Sequence, residues 1–239
     1  MSRRFVHITP RLAAAADMLK GYETVADVGC DHGRLTAALL QQNGCRKVIA
    51  SDISNSSLEK ARRLIAHIGL ADRVSFRVGD GCSVLEPGEC DAIAMLGMGG
   101  TLMCRILEAC SVPLAGAKAL VLQPMRAQDE IREYLYRKGY RITDDRVVSD
   151  HGRLYQVFRA ETCGMPDMLP DGFPEDFFDV GYRSFETNDP LLPALCREQL
   201  SCHEKMLKTA RGTSGETVIQ KKIDALRQIL DRFELRNHT

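Results

Sequence analysis

The stretch Thr24-Val-Ala-Asp27-Val-Gly29-Cys-Asp31-His32-Gly33 is a short apolar run that passes straight into a glycine turn carrying two carboxylates, Asp27 and Asp31. A β-branched strand ending in glycine and followed by a helical pattern from about Leu35 opens a nucleotide-binding α/β unit. The dinucleotide form of that turn needs G-x-G-x-x-G, so that backbone amides and a helix N-terminus meet a pyrophosphate. Here the spacing is Gly29-x-x-x-Gly33, and two negative side chains stand where the pyrophosphate would lie. Like charges in one small cleft repel, which disfavours phosphate and favours a ligand with a cationic amino-acid end. S-adenosylmethionine, with an ammonium and a sulfonium, meets that description.

Two further acids follow at the ends of apolar runs. Lys47-Val-Ile-Ala-Ser-Asp52 ends in a carboxylate that is expected to take ribose hydroxyls, with Ile53 beside it on the donor side. Arg77-Val-Gly-Asp80-Gly81 supplies an acid after a third run, placed to accept from an adenine amino group. Asp27, Gly29, Asp31, Gly33, Asp52, Ile53, Asp80, Gly81 and Gly97 form the predicted donor set. Three acids in order at the ends of three successive strands carry more than any one of them.

Strand-like runs recur at 24–29, 47–52, 73–78, 90–96 and 118–123, with helical patterns at about 34–43, 55–68, 100–110 and 127–138 between them. That alternation demands parallel strands with crossover helices on both faces. After Gly139, Arg141–Ser149 and Leu154–Ala160 read as two strands joined by Asp150-His151-Gly152, a hairpin signal. The expected fold is therefore α/β: a Rossmann-like class I methyltransferase, with a seven-stranded, mostly parallel sheet, a terminal antiparallel hairpin strand and a C-terminal α-helical hairpin. The domain reading is 1–160 for the donor-binding domain, 161–190 for an acidic, proline-containing linker, and 191–239 for the helical hairpin or coiled coil.

Charge is segregated although the 239-residue chain has no formal net charge. Residues 161–190 hold eight acids and one base, and residues 191–239 hold nine bases and six acids, so the hairpin is basic. Its apolar stripe, Val218, Ile219, Ile223, Leu226, Ile229 and Leu230, follows helical spacing. Lys205, Lys208, Arg211, Lys221 and Lys222 are candidates to grip an RNA backbone, as are Arg3, Arg4, Arg11 and Arg34 nearer the N-terminus, with solvated surface as the alternative. No stretch approaches the ~20 apolar residues of a membrane span, and the first residues lack a signal-peptide core. The nine cysteines show no C-x-x-C and no zinc spacing, so a cytoplasmic, metal-free protein with free thiols is expected.

With these residues in view, the chain resembles the bacterial tRNA adenine-22 N1-methyltransferases. The matching stretches are Arg11-Leu12, Asp27-Val-Gly-Cys-Asp31-His32-Gly33, Asp52, Gly79-Asp80-Gly81, Gly97-Met98-Gly99-Gly100, Leu122-Gln123-Pro124, Asp150-His-Gly and Tyr155. The resemblance implies methyl transfer from S-adenosylmethionine to N1 of an adenine in the D-arm of tRNA, and a C-terminal two-helix appendage. It departs at two positions, Met125 where members often have Asn and Arg34 where they often have Tyr.

The candidate catalytic residues are Asp31, His32 and Gln123. Asp31 would stabilise charge that develops on the purine, or only contact the donor ammonium, or cap the following helix. His32 reads as a structural or base-contacting residue rather than a general base. Gln123 would bond the adenine edge, with Pro124 stiffening its turn. Met98, Gly99 and Gly100 lie where acceptor meets donor, since missing side chains admit a base to the backbone. A small-molecule methyltransferase, or a non-catalytic RNA-binding protein on the same fold, remains the alternative.

Overall fold

The computed structural model describes residues 5–110, 116–162 and 168–237; the candidate phosphate contacts Arg3 and Arg4 lie outside these. Helix α1 (Pro10–Met18) precedes β1 (Thr24–Val28), α2 (Arg34–Gln42), β2 (Lys47–Asp52), α3 (Asn55–His67), β3 (Val74–Val78), β4 (Ala92–Met98), α4 (Gly100–Ala109), β5 (Ala119–Pro124) and α5 (Gln128–Arg137). The antiparallel strands β6 (Tyr140–Asp150) and β7 (Arg153–Thr162) follow, then the short α6 (Tyr182–Glu186) and the long pair α7 (Leu192–Ala210) and α8 (Gly215–Asn237). The sheet runs β3-β2-β1-β4-β5-β7-β6, parallel through β5 and antiparallel beyond it.

Local chemistry explains most boundaries. The inner strands bury both faces, so their sequences are almost unbroken apolar runs, as in Ala92-Ile-Ala-Met of β4. Pro10 opens α1, and the Ser54 hydroxyl caps α3 by accepting from the Ser57 amide at 3.3 Å. The β6–β7 turn places His151 and Gly152 at φ +50° and +75°, the paired left-handed geometry of a tight hairpin. Gly97 and Met98 were expected just beyond the fourth strand. They lie within it, at a bulge between Leu96 and Met98, with Gly97 at φ +78°.

Two apolar clusters sandwich the sheet. One packs α1 and α2 against Val25, Val48 and Val121. The other packs α4, α5 and the helices beyond β7 against Ile93, Leu122 and Phe158. The segment expected as a linker differs from its composition. Phe173, Phe177, Val180, Tyr182 and Phe185 are buried in the second cluster, where they meet Leu195, Leu226, Ile229 and Phe233 of the helical pair. Beneath them Arg132 is fully buried, bonded to Asp145 at 3.0 Å and to the Phe178 carbonyl. Phe173, Phe177, Phe178, Tyr182 and Phe185 together bury enough aromatic area to outweigh the acids and prolines around them.

The helical pair stands along the sheet. Lys222 Nζ reaches Asp129 at 2.8 Å, at the start of α5 and so on the edge where the parallel strands end. Arg236 reaches the Phe185 carbonyl, toward the opposite edge. Lys222 lies about two turns into α8, so the first turns of that helix lie on the far side of the Asp129 contact from Arg236.

Candidate active site

A cleft of about 950 Å³ opens at the carboxyl ends of β1, β2 and β4. Its floor is the turn after β1. The Gly29 and Cys30 amides donate to the Ser51 carbonyl at 2.8 and 2.9 Å, which lashes the turn to β2. Gly29, Asp31 and Gly33 all have left-handed φ, at +73°, +47° and +70°. A β-carbon on Gly33 would lie 2.8 Å from that of Ala61, so only glycine admits α3 this close.

The four acids of the donor set surround this turn in different states. Asp27 is 3% exposed and accepts from the Thr36 hydroxyl at 2.6 Å. Burial raises its pKa to about 6 despite that hydrogen bond. Asp52 uses both oxygens, accepting the Asp31 amide at 3.1 Å and the Ser54 amide at 2.8 Å. The Asp31 side chain is 70% exposed and the residue lines the cleft, as does exposed Asp80. The helix-cap alternative for Asp31 does not hold, because Gly33 occupies the cap of α2 without a side-chain bond.

On the acceptor side, Gln123 is buried to 1% exposure at the end of β5. The Met125 amide donates to the Met98 carbonyl at 2.7 Å, tying the ends of β4 and β5 together. The Met98 methyl lies over Gly29, in the space a β-carbon there would need. His32 Nε2 lies 3.1 Å from the Lys60 ammonium. The same nitrogen lies 3.6 Å from Asp31 Oδ1, so His32 sits between a cation and a carboxylate.

The cleft gathers Arg11, Asp27, Gly29, Asp31, His32, Arg34, Asp52, Ile53, Asp80, Gly81, Gly97, Met98 and Gln123 from the predicted set. Gly33, Gly99, Gly100 and Pro124 instead shape its supports; a β-carbon on Gly100 would collide with the Ala127 carbonyl. Lys205, Lys208 and Arg211 are exposed around the α7–α8 turn and do not line the cleft. Arg11, expected against phosphate, has its guanidinium committed inside the protein: Nη1 lies 3.3 Å from Gln123 Oε1, Nε lies 3.4 Å from Asp150, and the group stacks over Tyr155. Lys222 is likewise committed, bridging Asp129 and Asp179 at 2.8 and 2.9 Å. Sequence reasoning missed Ser51, Thr36 and Leu102; Met125, noted there only as a departure from the resemblance, lines the cleft. Ser51 precedes Asp52, the last residue of the second strand, which was the only available signal. Its buried hydroxyl has no hydrogen-bond partner among the described residues. Among the described residues, no group of three or more His, Cys, Asp or Glu is placed to hold a metal ion.

Acids at three successive strand ends, a glycine cradle and an order-reversing sheet define a methyl-donor-binding Rossmann-like fold. Residues 8–158 match the family model described as a methyltransferase domain. The tRNA (adenine(22)-N(1))-methyltransferase of Bacillus subtilis is 35% identical over 165 residues, 69% of each chain. The crystal structure of the B. subtilis M1A22 tRNA methyltransferase TrmK superposes with a TM-score of 0.78 at 28% identity, covering 96% of this chain and 98% of that one. Streptococcus pneumoniae Sp1610 in complex with S-adenosyl-L-methionine gives 0.79 at 24% identity, covering 94% and 100%. The chain belongs to the tRNA (adenine(22)-N(1))-methyltransferase family.

The residues fit S-adenosylmethionine on their own chemistry. The cleft offers carboxylates for an ammonium and for ribose hydroxyls, the Ser51 hydroxyl, and an apolar rim in Ile53, 73% exposed, and Leu102, 39% exposed.

Proposed function

We propose that this protein transfers a methyl group from S-adenosylmethionine to N1 of the adenine at position 22, in the D-arm of tRNA, in the cytoplasm. The observation that carries the reading is the row of acids Asp27, Asp31, Asp52 and Asp80 around one cleft, in a chain of this family. When bound, the donor supplies an electrophilic methyl on a sulfonium. Asp52 and Ile53 hold the nucleoside end, Asp80 and Gly81 the base, and Asp27 and the Gly29–Gly33 turn the amino-acid end.

Adenine N1 already has a lone pair, so the chain's task is chiefly to orient the base in line and exclude water. Gln123 bonds the base edge, and Met98 and Gly97 border the meeting point. The purine becomes cationic as the bond forms, and Asp31 at the cleft mouth stabilises that charge. His32 contacts the base or shapes the turn rather than acting as the general base. N1 is sequestered by pairing or tertiary contacts in folded tRNA, so the nucleotide must leave its stack to enter. Lys205, Lys208, Arg211 and Lys221, exposed on the helical hairpin, contact the phosphates, and Arg34 does so at the rim. Transfer of labelled methyl to tRNA, followed by nucleoside analysis, tests the reading. N1-methyladenine is expected with wild-type transcript and none with a transcript whose adenine 22 is guanine; product at another base or position would overturn it.

A further inference from the structure

The Gln123 amide has a fixed orientation and one unused bonding position. Nε2 carries two protons, and both are engaged: one meets the Pro124 carbonyl at 3.2 Å, the other the Met125 sulfur at 3.4 Å. Oε1 accepts from Arg11 Nη1 at 3.3 Å. An amide oxygen has two lone pairs, so the remaining capacity of this buried side chain is one acceptor position. Flipping the amide would set its NH2 against a guanidinium, donor against donor, and would face its oxygen to a carbonyl. Arg11 itself is held three ways, by Asp150 at 3.4 Å, by the Tyr155 ring at 5.2 Å and by the Met125 sulfur at 3.5 Å. Asp150 is buried and bonded at 2.5 Å to His151 in the hairpin turn.

We infer that Arg11 is a positioning residue that fixes Gln123 as a hydrogen-bond acceptor toward the substrate base, and that the Asp150–His151 turn holds Arg11 for that purpose. Beside N1, adenine carries an amino donor whereas guanine carries a carbonyl oxygen, so a locked acceptor selects adenine. The inference rests on the adenine-N1 reading above.

The experiment compares full-length wild type, Arg11→Met, Gln123→Ala and the double variant on two transcripts. One carries adenine at the target position; the other carries purine riboside, which keeps N1 and lacks the amino group. Arg11→Met is expected to lower kcat/KM on adenine by roughly 10- to 100-fold, as for an unfixed buried polar group. On purine riboside the loss should stay within about threefold, because no amino donor is read there. The double variant should be no worse than Gln123→Ala, and donor affinity by calorimetry should be unchanged. Multiplying losses, or equal losses on both transcripts, would overturn the inference. So would a log-salt slope of tRNA binding reduced by about one, which marks a phosphate contact instead. Should Arg11→Met fail to fold, Arg11→Lys keeps the charge without the planar fork, and the same adenine-specific loss is expected, of roughly tenfold. A wild-type protein that makes no N1-methyladenine sinks the functional reading and this inference together; an active wild type with multiplying losses sinks this inference alone.

Discussion

The backbone amide of Asp31 donates to Oδ2 of Asp52 at 3.1 Å, so the acid that ends the second strand also holds the turn that follows the first. Asp52 is therefore expected to act twice in donor binding, through the ribose and through the shape of the Gly29–Gly33 turn. Asp52→Ala should weaken the donor by about 1.5–3 kcal/mol, roughly 10- to 150-fold. Asp52→Asn keeps one acceptor oxygen and should lose less. Calorimetry that finds both variants equal to wild type removes Asp52 from the site.

Asp27 gives two opposite pH dependences. Its folded pKa of about 6 lies above the ordinary 3.8, because burial penalises the charge. The contribution to stability of the ligand-free protein is thus fully present below about pH 4 and is lost as pH rises through about 6. A cationic ligand needs the carboxylate, so donor affinity should rise over the same window. Asp27→Asn should flatten both profiles. Thermal unfolding and calorimetry between about pH 4 and 7 check them separately.

Asp31→Asn keeps size and removes charge from an exposed position, so the fold should be untouched. Turnover at saturating donor and tRNA should fall by about 10-fold or more if the charge stabilises the cationic purine. A wild-type rate would leave Asp31 as a donor contact at most.

Adjacent lysines on α8 should behave differently. Lys222 is half-buried between Asp129 and Asp179, and Lys222→Met strands two carboxylates at the contact between hairpin and body. A loss of about 1–3 kcal/mol is expected, discounted from a fully buried pair because water still reaches the site. Lys221→Ala, at an exposed position, should change stability by less than about 0.5 kcal/mol. It should instead lower the salt slope of tRNA binding by about one. Denaturation and salt-titrated binding separate the two outcomes.

Two glycines of the Gly97-Met-Gly-Gly100 run differ in what surrounds them. A β-carbon on Gly100 meets the Ala127 carbonyl, a backbone atom that cannot turn aside, whereas nothing lies within 4 Å of one on Gly97. Gly100→Ala should cost more than about 2 kcal/mol. Gly97→Ala should cost about 1–2 kcal/mol, from its left-handed φ alone. Equal shifts in Tm would contradict this account.

How legible the molecule was depended on the sequence separation of the partners. Strand ends, the glycine turn and the acids Asp27, Asp31, Asp52 and Asp80 follow from local rules, because a strand that buries both faces must be apolar and must stop where it meets solvent. The helical stripe of α8 shows in the same way through its period. The segment 161–190 reads as a linker because prolines and acids describe a chain's local stiffness and charge. They say nothing of whether five nearby aromatics find a surface to cover.

The sequence by itself determined the order of the elements, the edge of the sheet that carries the acids and the kind of donor those acids suit. The tertiary structure alone decided which cations are free for RNA and which serve the protein. Arg11 and Lys222 look like any other basic residue along the chain, yet Gln123 lies 112 positions from the first and Asp129 93 positions from the second. A guanidinium or an ammonium takes its role from the acceptors that folding brings within about 3 Å, and no local pattern encodes contacts that distant.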